Sequence, residues 1–179
     1  MAQCYVAPIT RIPEKNVFLA RVPADTTLQA GAIVDLSTLD TAIPNNYQVY
    51  VAAAPTADST MLGIVINDGW EQLADGRRPD GQPDYTQYEF HAGDVVCVVA
   101  LEAWTRFEIA EAALDGDAPA VGGFLRTQAG EYQLAAGESG ILRVEAKKYV
   151  RAGGQFGGSF ADGFIPTMVC IVAIPAAGE

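Results

Sequence analysis

The residue types able to do chemistry are few in this chain and widely spaced. One histidine, His91, is available for proton transfer near neutral pH. It precedes Asp115 and the Ser139 of a Gly-Glu-Ser-Gly tetrapeptide, an order compatible with a β-barrel serine hydrolase in which imidazole takes the hydroxyl proton and a carboxylate orients the ring. The surrounding residues have a plainer reading. His91 lies in a turn-forming stretch, and Ala135-Ala136-Gly137 with Ser139-Gly140 reads as a loop between two strands. Cys4, Cys97 and Cys170 are far apart, each inside an apolar stretch and none in a ligand-spaced pair, so they read as buried, reduced thiols. Asp75, Asp80 and Asp84 share a segment without the alternating carboxylate order of an EF-hand. Gly153, Gly154, Gly157 and Gly158 form neither GxGxxG nor a Walker loop, since no Lys-Ser/Thr follows them. Glu102, Glu108, Glu111 and Glu145 fit anywhere on a β surface, so sequence does not pair them for glycoside hydrolysis. The expectation is a chain with no catalytic residue, no cofactor and no metal.

Composition points to a partner other than a polyanion. The 179 residues include 22 acidic and 11 basic side chains, a formal charge of -11, which repels phosphate backbones and anionic lipid. Half the residues are hydrophobic and 18% are charged, enough apolar material for one well-buried domain without disulfide staples. The longest apolar runs, Val95 to Leu101 and Met168 to Ile174, fall far short of the ~20 residues that span a bilayer, and the start lacks an export signal's basic-then-apolar order. No nucleic acid and no membrane are expected.

The elements that must position any site follow a period of two. β-branched and aromatic residues are broken every ten or so positions by Gly, Pro, Asp or Asn, which predicts an all-β barrel, tulip-like barrel or sandwich. Strands are predicted at Gln3 to Ala7, Val17 to Val22, Ala32 to Leu36, Gln48 to Ala53, Leu62 to Ile66, Asp94 to Leu101, Trp104 to Ile109, Phe124 to Thr127, Ile141 to Val150 and Thr167 to Ile174. Only Ala110 to Leu114 looks helical. The final strand is apolar on both faces, which suits a place between two layers or against a neighbouring subunit. Leu28 to Leu36 (LQAGAIVDL) and Phe90 to Val98 (FHAGDVVCV) echo one another, and Gly31 and Gly93 are expected to supply the positive φ of a turn just before a strand.

Three segments outside this rhythm are the candidate contact surfaces. Residues 1–16 read as an extended N-terminal arm, with Tyr5, Val6, Ile9 and Ile12 spaced by Pro8 and Pro13, suited to lying on another surface or adding a strand to it. Residues 17–179 then form the β domain. Asn67 to Glu89 is a long polar loop whose Trp70, Tyr85 and Tyr88 either anchor a partner or fold the loop back on its own domain. Arg151 to Phe164 is Gly-rich and carries Phe156, Phe160 and Phe164, which either cover a barrel end or make an intersubunit contact.

From Leu28 to Gly140, the succession LQAGAIVDL, MLGIVIND, FHAGDVVCVVALEAWTRFEIAEAALDGDAPAV and FLRTQAGEYQLAAGESG resembles the capsid decoration (cement, or auxiliary head) proteins of tailed bacteriophages. The likeness is one of strand rhythm and turn chemistry. It implies a β-barrel or β-tulip protein on the exterior of a virion, assembled in the host cytoplasm, often a homotrimer, which binds the major capsid protein and stabilises the lattice without being an enzyme. The long loop and the Gly/Phe segment depart from it. Other readings are a head-fibre base or tail component, a carbohydrate-binding β-sandwich using Trp70, Tyr85 and Tyr88, and the hydrolase of His91 and Ser139.

Overall fold

The structure, a computed structural model, describes residues 6–42, 49–66, 89–151 and 164–173, with the backbone alone of Val150, Arg151 and Phe164. It is all-β, as the period-two pattern predicts. Among the described residues twelve strands run in chain order: β1 (Val6–Pro8), β2 (Val17–Arg21), β3 (Ile33–Asp35), β4 (Val49–Val51), β5 (Leu62–Val65), β6 (Val95–Ala100), β7 (Arg106–Ala110), β8 (Leu114–Asp115), β9 (Phe124–Arg126), β10 (Leu134–Gly137), β11 (Leu142–Arg151) and β12 (Phe164–Val172). They form two curled sheets, a seven-stranded one ordered β1-β7-β12-β11-β9-β10-β8 and a five-stranded one ordered β3-β5-β6-β2-β4. The predicted helix is only a 3-10 turn at Glu111–Ala113, and the stretch read as a loop at Ala135 to Gly137 is strand β10.

The five-stranded sheet curls until its edges meet. The Asp35 amide donates to the Ala53 carbonyl, and the chain after β3 runs back along β4 through Val51 N–H to Thr38 O and Asp40 N–H to Val49 O. Its interior holds Ala20, Val22, Leu28, Val34, Leu36, Ala52, Val65, Phe90, Val96 and Val98, while Ile33, Ile64, Ile66, Cys97 and Val99 point the other way and share a second core with the seven-stranded sheet. Alternation along β6 therefore puts both faces in a core, which is why VVCVVA reads as continuously apolar.

The sequence echo is an approximate internal two-fold. Leu28 and Phe90 exchange both backbone hydrogen bonds. Each is followed by a turn whose third residue is a left-handed glycine, Gly31 at φ 95° and Gly93 at φ 91°, closed by Ala32 N–H to Gln29 O and Asp94 N–H to His91 O. Beyond the turns, Ala32 pairs with Val65 as Asp94 pairs with Val22. β2 and β5 are thus equivalent, as are β3 and β6, and each strand of one half pairs across to the other half. The five residues 23–27 join the points in the first half that correspond to those joined by residues 66–89 in the second.

β12 lies between β7 and β11. Its Met168, Cys170 and Val172 face the inter-sheet core. Among the described residues, its other face is flanked by charged side chains from both neighbouring strands. Arg106 Nε on β7 donates to Glu145 Oε2 at 2.7 Å, beside Ile171, and Lys148 on β11 pairs with Glu108 across the strand beside Val169. The aliphatic stems do the covering, leaving Ile171 only 4% exposed. Among the described residues no helix is long and apolar enough to cross a membrane.

Candidate partner-binding surface

The internal two-fold gives the barrel two equivalent outer faces with different fates. On β5 the outward residues Leu62 and Ile64 pack towards the seven-stranded sheet. Their counterparts on β2 are Leu19 and Arg21, which no described residue of the seven-stranded sheet's core packs against. Leu19 is 45% exposed and Val17 39%, although both sit in a hydrogen-bonded strand flanked by β6 and β4. Register places Val49 beside Leu19 and Val51 beside Arg21, both half-buried and on the outward side, since Ala20 and Tyr50 point into the barrel. Arg21 Nε stands 3.0 Å from Asp40 Oδ2. The result is a short apolar stripe on a strongly acidic chain.

A second exposed group is Trp104, in the turn from β6 to β7. It is 64% exposed and its backbone is left-handed, φ 70°, a conformation that is uncommon outside glycine and strained for a bulky residue. The turn holds it there: the Trp104 amide donates to Val172 O, Thr105 N–H to Glu102 O and Val172 N–H to Thr105 O. Periodicity missed this. Trp104 reads as the start of a strand, whereas β7 begins at Arg106 and the tryptophan is turned out of the sheet. An indole at a turn otherwise suited to glycine was the available signal.

Of the partner-binding residues singled out from sequence, the side chains of Val6, Ile9 and Ile12 are described. Val6 is fully buried in the inter-sheet core, and Val6 to Pro8 pair with Phe107 to Ile109, so this part of the arm is a strand of the chain's own sheet. Ile12 packs against the same core, while Ile9 is 46% exposed. Tyr5, Trp70, Tyr85, Tyr88, Phe156 and Phe160 lie outside the described residues, and of Phe164 only the backbone, at the start of β12, is described.

The candidate triad is spread over both sheets. His91 is exposed in the Gly93 turn, its amide donating to Asp94 Oδ2 at 2.8 Å. Asp115 is in β8 and accepts from Gln128 Nε2, and Ser139 is exposed in the β10–β11 turn. No hydrogen bond joins these three. The thiols of Cys97 and Cys170 are buried, and burial, aided by the negative charge of Glu145, pushes Cys170 up to about 12, far from a nucleophile's range. Among the described residues no group of three or more His, Cys, Asp or Glu side chains is placed to hold a metal ion. A cavity of about 280 Å³ opens beside the Leu28–Phe90 bridge, where Gln29 Nε2 donates to Glu89 Oε1 at 3.0 Å under Tyr132. Comparison with protein-family models, with curated proteins and with solved structures finds no match for this chain.

Proposed function

We propose that the chain is a structural virion protein that binds the outer surface of a phage capsid through the major capsid protein and stabilises the lattice. The observation that supports this best is Trp104. A large aromatic side chain held out of the sheet on a strained backbone loses nothing by being covered, and a rigid turn minimises the entropy of ordering it at an interface. Attachment of this kind needs no chemistry from the bound protein. A ligand that binds only the assembled lattice stabilises that lattice by mass action.

The test is co-sedimentation and electron microscopy of the purified chain with phage heads assembled from the major capsid protein of the virus that carries it. Wild type decorates the outer surface at a regular lattice position. Because truncating a buried interface tryptophan costs about 2 kcal/mol or more, Trp104→Ala weakens attachment roughly tenfold or more, at about 1.4 kcal/mol per decade. Its melting temperature does not fall, since the substitution relieves no packing and touches no core. Wild-type protein that leaves such heads bare removes the proposal.

A further inference from the structure

We infer that Arg126 and Arg143, on the outer face of β9 and β11, form a two-arginine clamp for the carboxylates of an acidic segment of a partner protein. The inference stands apart from the capsid reading and rests on the charge pattern of the seven-stranded sheet. Leu125 on β9 and Leu142 on β11 lie opposite one another and are fully buried, so the residues flanking them, Phe124, Arg126 and Arg143, point outward. Register sets Arg143 beside Phe124, and Arg126 is two residues along the same strand, a diagonal position about 7–8 Å away. Two guanidiniums thus rise from one face, next to a half-buried aromatic ring. Gly137 on β10, opposite Phe124, steadies one of them. It is not left-handed, and a Cβ there would sit 2.9 Å from Arg126 Cδ and 3.3 Å from Cγ, so the missing side chain makes room for the arginine's aliphatic stem to lie across β10. A stem laid down in advance lowers the entropy lost when the guanidinium meets a ligand.

Charge and shape select the occupant. On the neighbouring strands the charged side chains are paired, Arg106 with Glu145 and Lys148 with Glu108. Arg126 and Arg143 are exposed, and neither forms an ion pair with a described residue; Glu145 feels the charge of Arg143, but its carboxylate is bonded to Arg106. These two acids and four bases leave the region two charges positive on a chain whose net charge is -11. The planar fork of arginine fits a carboxylate or a phosphate. An open sheet face has no walls to retain a small ion, so the ligand must bring further contacts, which Phe124 can supply to apolar atoms. A nucleic-acid strand would run on from the clamp over a strongly acidic protein that repels it. An acidic protein segment needs to set only two carboxylates here and can be neutral or basic beyond them.

The experiment is an NMR titration of the isotopically labelled full chain with a hexaglutamate peptide, read at the backbone amides and the arginine Nε–H groups. Hexaglutamate shifts the Nε–H signals of Arg126 and Arg143 and the amides of β9 and β11, saturates with a Kd of about a millimolar or below in dilute buffer, and is released as salt is added. Hexaglutamine leaves these signals in place. Arg126→Gln/Arg143→Gln binds about tenfold or more weakly, because two charge-assisted contacts are gone, and its near-ultraviolet circular dichroism is unchanged. Gly137→Ala, which displaces the Arg126 stem while keeping both cations, also weakens binding. If the double variant fails to fold, Arg126→Lys, which keeps the charge and removes the fork, carries the expectation of weaker binding. No saturable shift at millimolar peptide, shifts scattered over the surface, equal binding by a folded double variant, or hexathymidylate binding as tightly as hexaglutamate overturns the inference.

Discussion

The outward side of β3, β5 and β6 and the outward side of β2 and β4 are built on one plan and differ in what lies above them. On the first, Ile33, Ile64, Ile66, Cys97 and Val99 sit in a core shared with the seven-stranded sheet. On the second, Val17 and Leu19 face outward, with Arg21 at the end of the strand. Strand propensity and hydrogen bonding are the same on both, so neither decides which face is core. The cover decides it. A β-sheet stabilises a fold in proportion to the apolar area that another layer removes from water, and the same leucine contributes or does not according to its neighbours.

That contrast is broken most directly by truncation. Ile64→Ala removes a fully buried side chain from the shared core and lowers stability by about 3–4 kcal/mol in urea unfolding, within the range for buried large-to-small changes. Leu19→Ala, on the second face, lowers it by about 1 kcal/mol or less in a monomer. Equal losses would mean that the second face is packed in solution.

The paired turns sharpen the comparison. A Cβ on Gly31 would sit 2.7 Å from the Ala113 Cβ of the 3-10 turn, and φ is 95° besides. Gly31→Ala is expected to lose about 3 kcal/mol, combining left-handed strain with overpacking. Gly93→Ala meets the strain and loses about 1–2 kcal/mol. Thermal melts of the two variants side by side check the difference, and a Gly93 variant as damaged as the Gly31 variant would mean the turns are equally enclosed.

At the seam where the barrel closes, burial of Asp35 opposes ionisation, yet the bonds from Ser59 and from the Ser37 amide and hydroxyl outweigh it and hold the carboxyl below its ordinary 3.8. A carboxylate depressed on folding stabilises above its unfolded pKa and loses that contribution as pH falls through the folded one. Asp35→Asn is therefore less stable than wild type at neutral pH, and the gap closes below about pH 4. A gap that stayed constant down to pH 2 would mean the side chain acts through its shape alone.

A similarly small effect is expected from exchanging the unequal connections. Replacing 67–88 with a link the length of 23–27 leaves the Leu28–Phe90 bridge and the Gln29–Glu89 bond available. Loop closure changes slowly with length, so the melting free energy shifts by about 1 kcal/mol. Loss of the fold would make the long loop a part of the barrel.

Much of this architecture was legible from local chemistry. Gly31 and Gly93 announced themselves because a positive φ before a strand leaves few residue choices, and Phe107 and Ile109 alternate with Arg106 and Glu108 as a half-buried strand must. What sequence left open is long-range. Leu134-Ala135-Ala136-Gly137 has no β-branched residue, and it is a strand because β8 and β9 flank it. β12 looks like a strand between two layers, but the charges beside its other face come from Arg106 and Glu108, about sixty residues earlier, paired with Glu145 and Lys148 of β11. Leu19 and Leu62 are indistinguishable by pattern, since period two marks two faces and says nothing about which one finds a lid. The aromatic-rich segments drew attention by composition, while Trp104 was hidden inside a convincing strand pattern.

The seven-stranded sheet joins the chain's beginning to its end, for β7 is flanked by β1, from the first ten residues, and by β12, from the last twenty. During synthesis this has a consequence in time. All five strands of the barrel have left the ribosome once residue 100 is out, but the sheet that covers their outward face must wait for β12, some seventy residues later. At about 5–20 residues per second that is several seconds in which Ile64 and its neighbours face water. Expression temperature, translation rate and chaperone supply should therefore govern the yield of soluble protein more strongly than the final stability does.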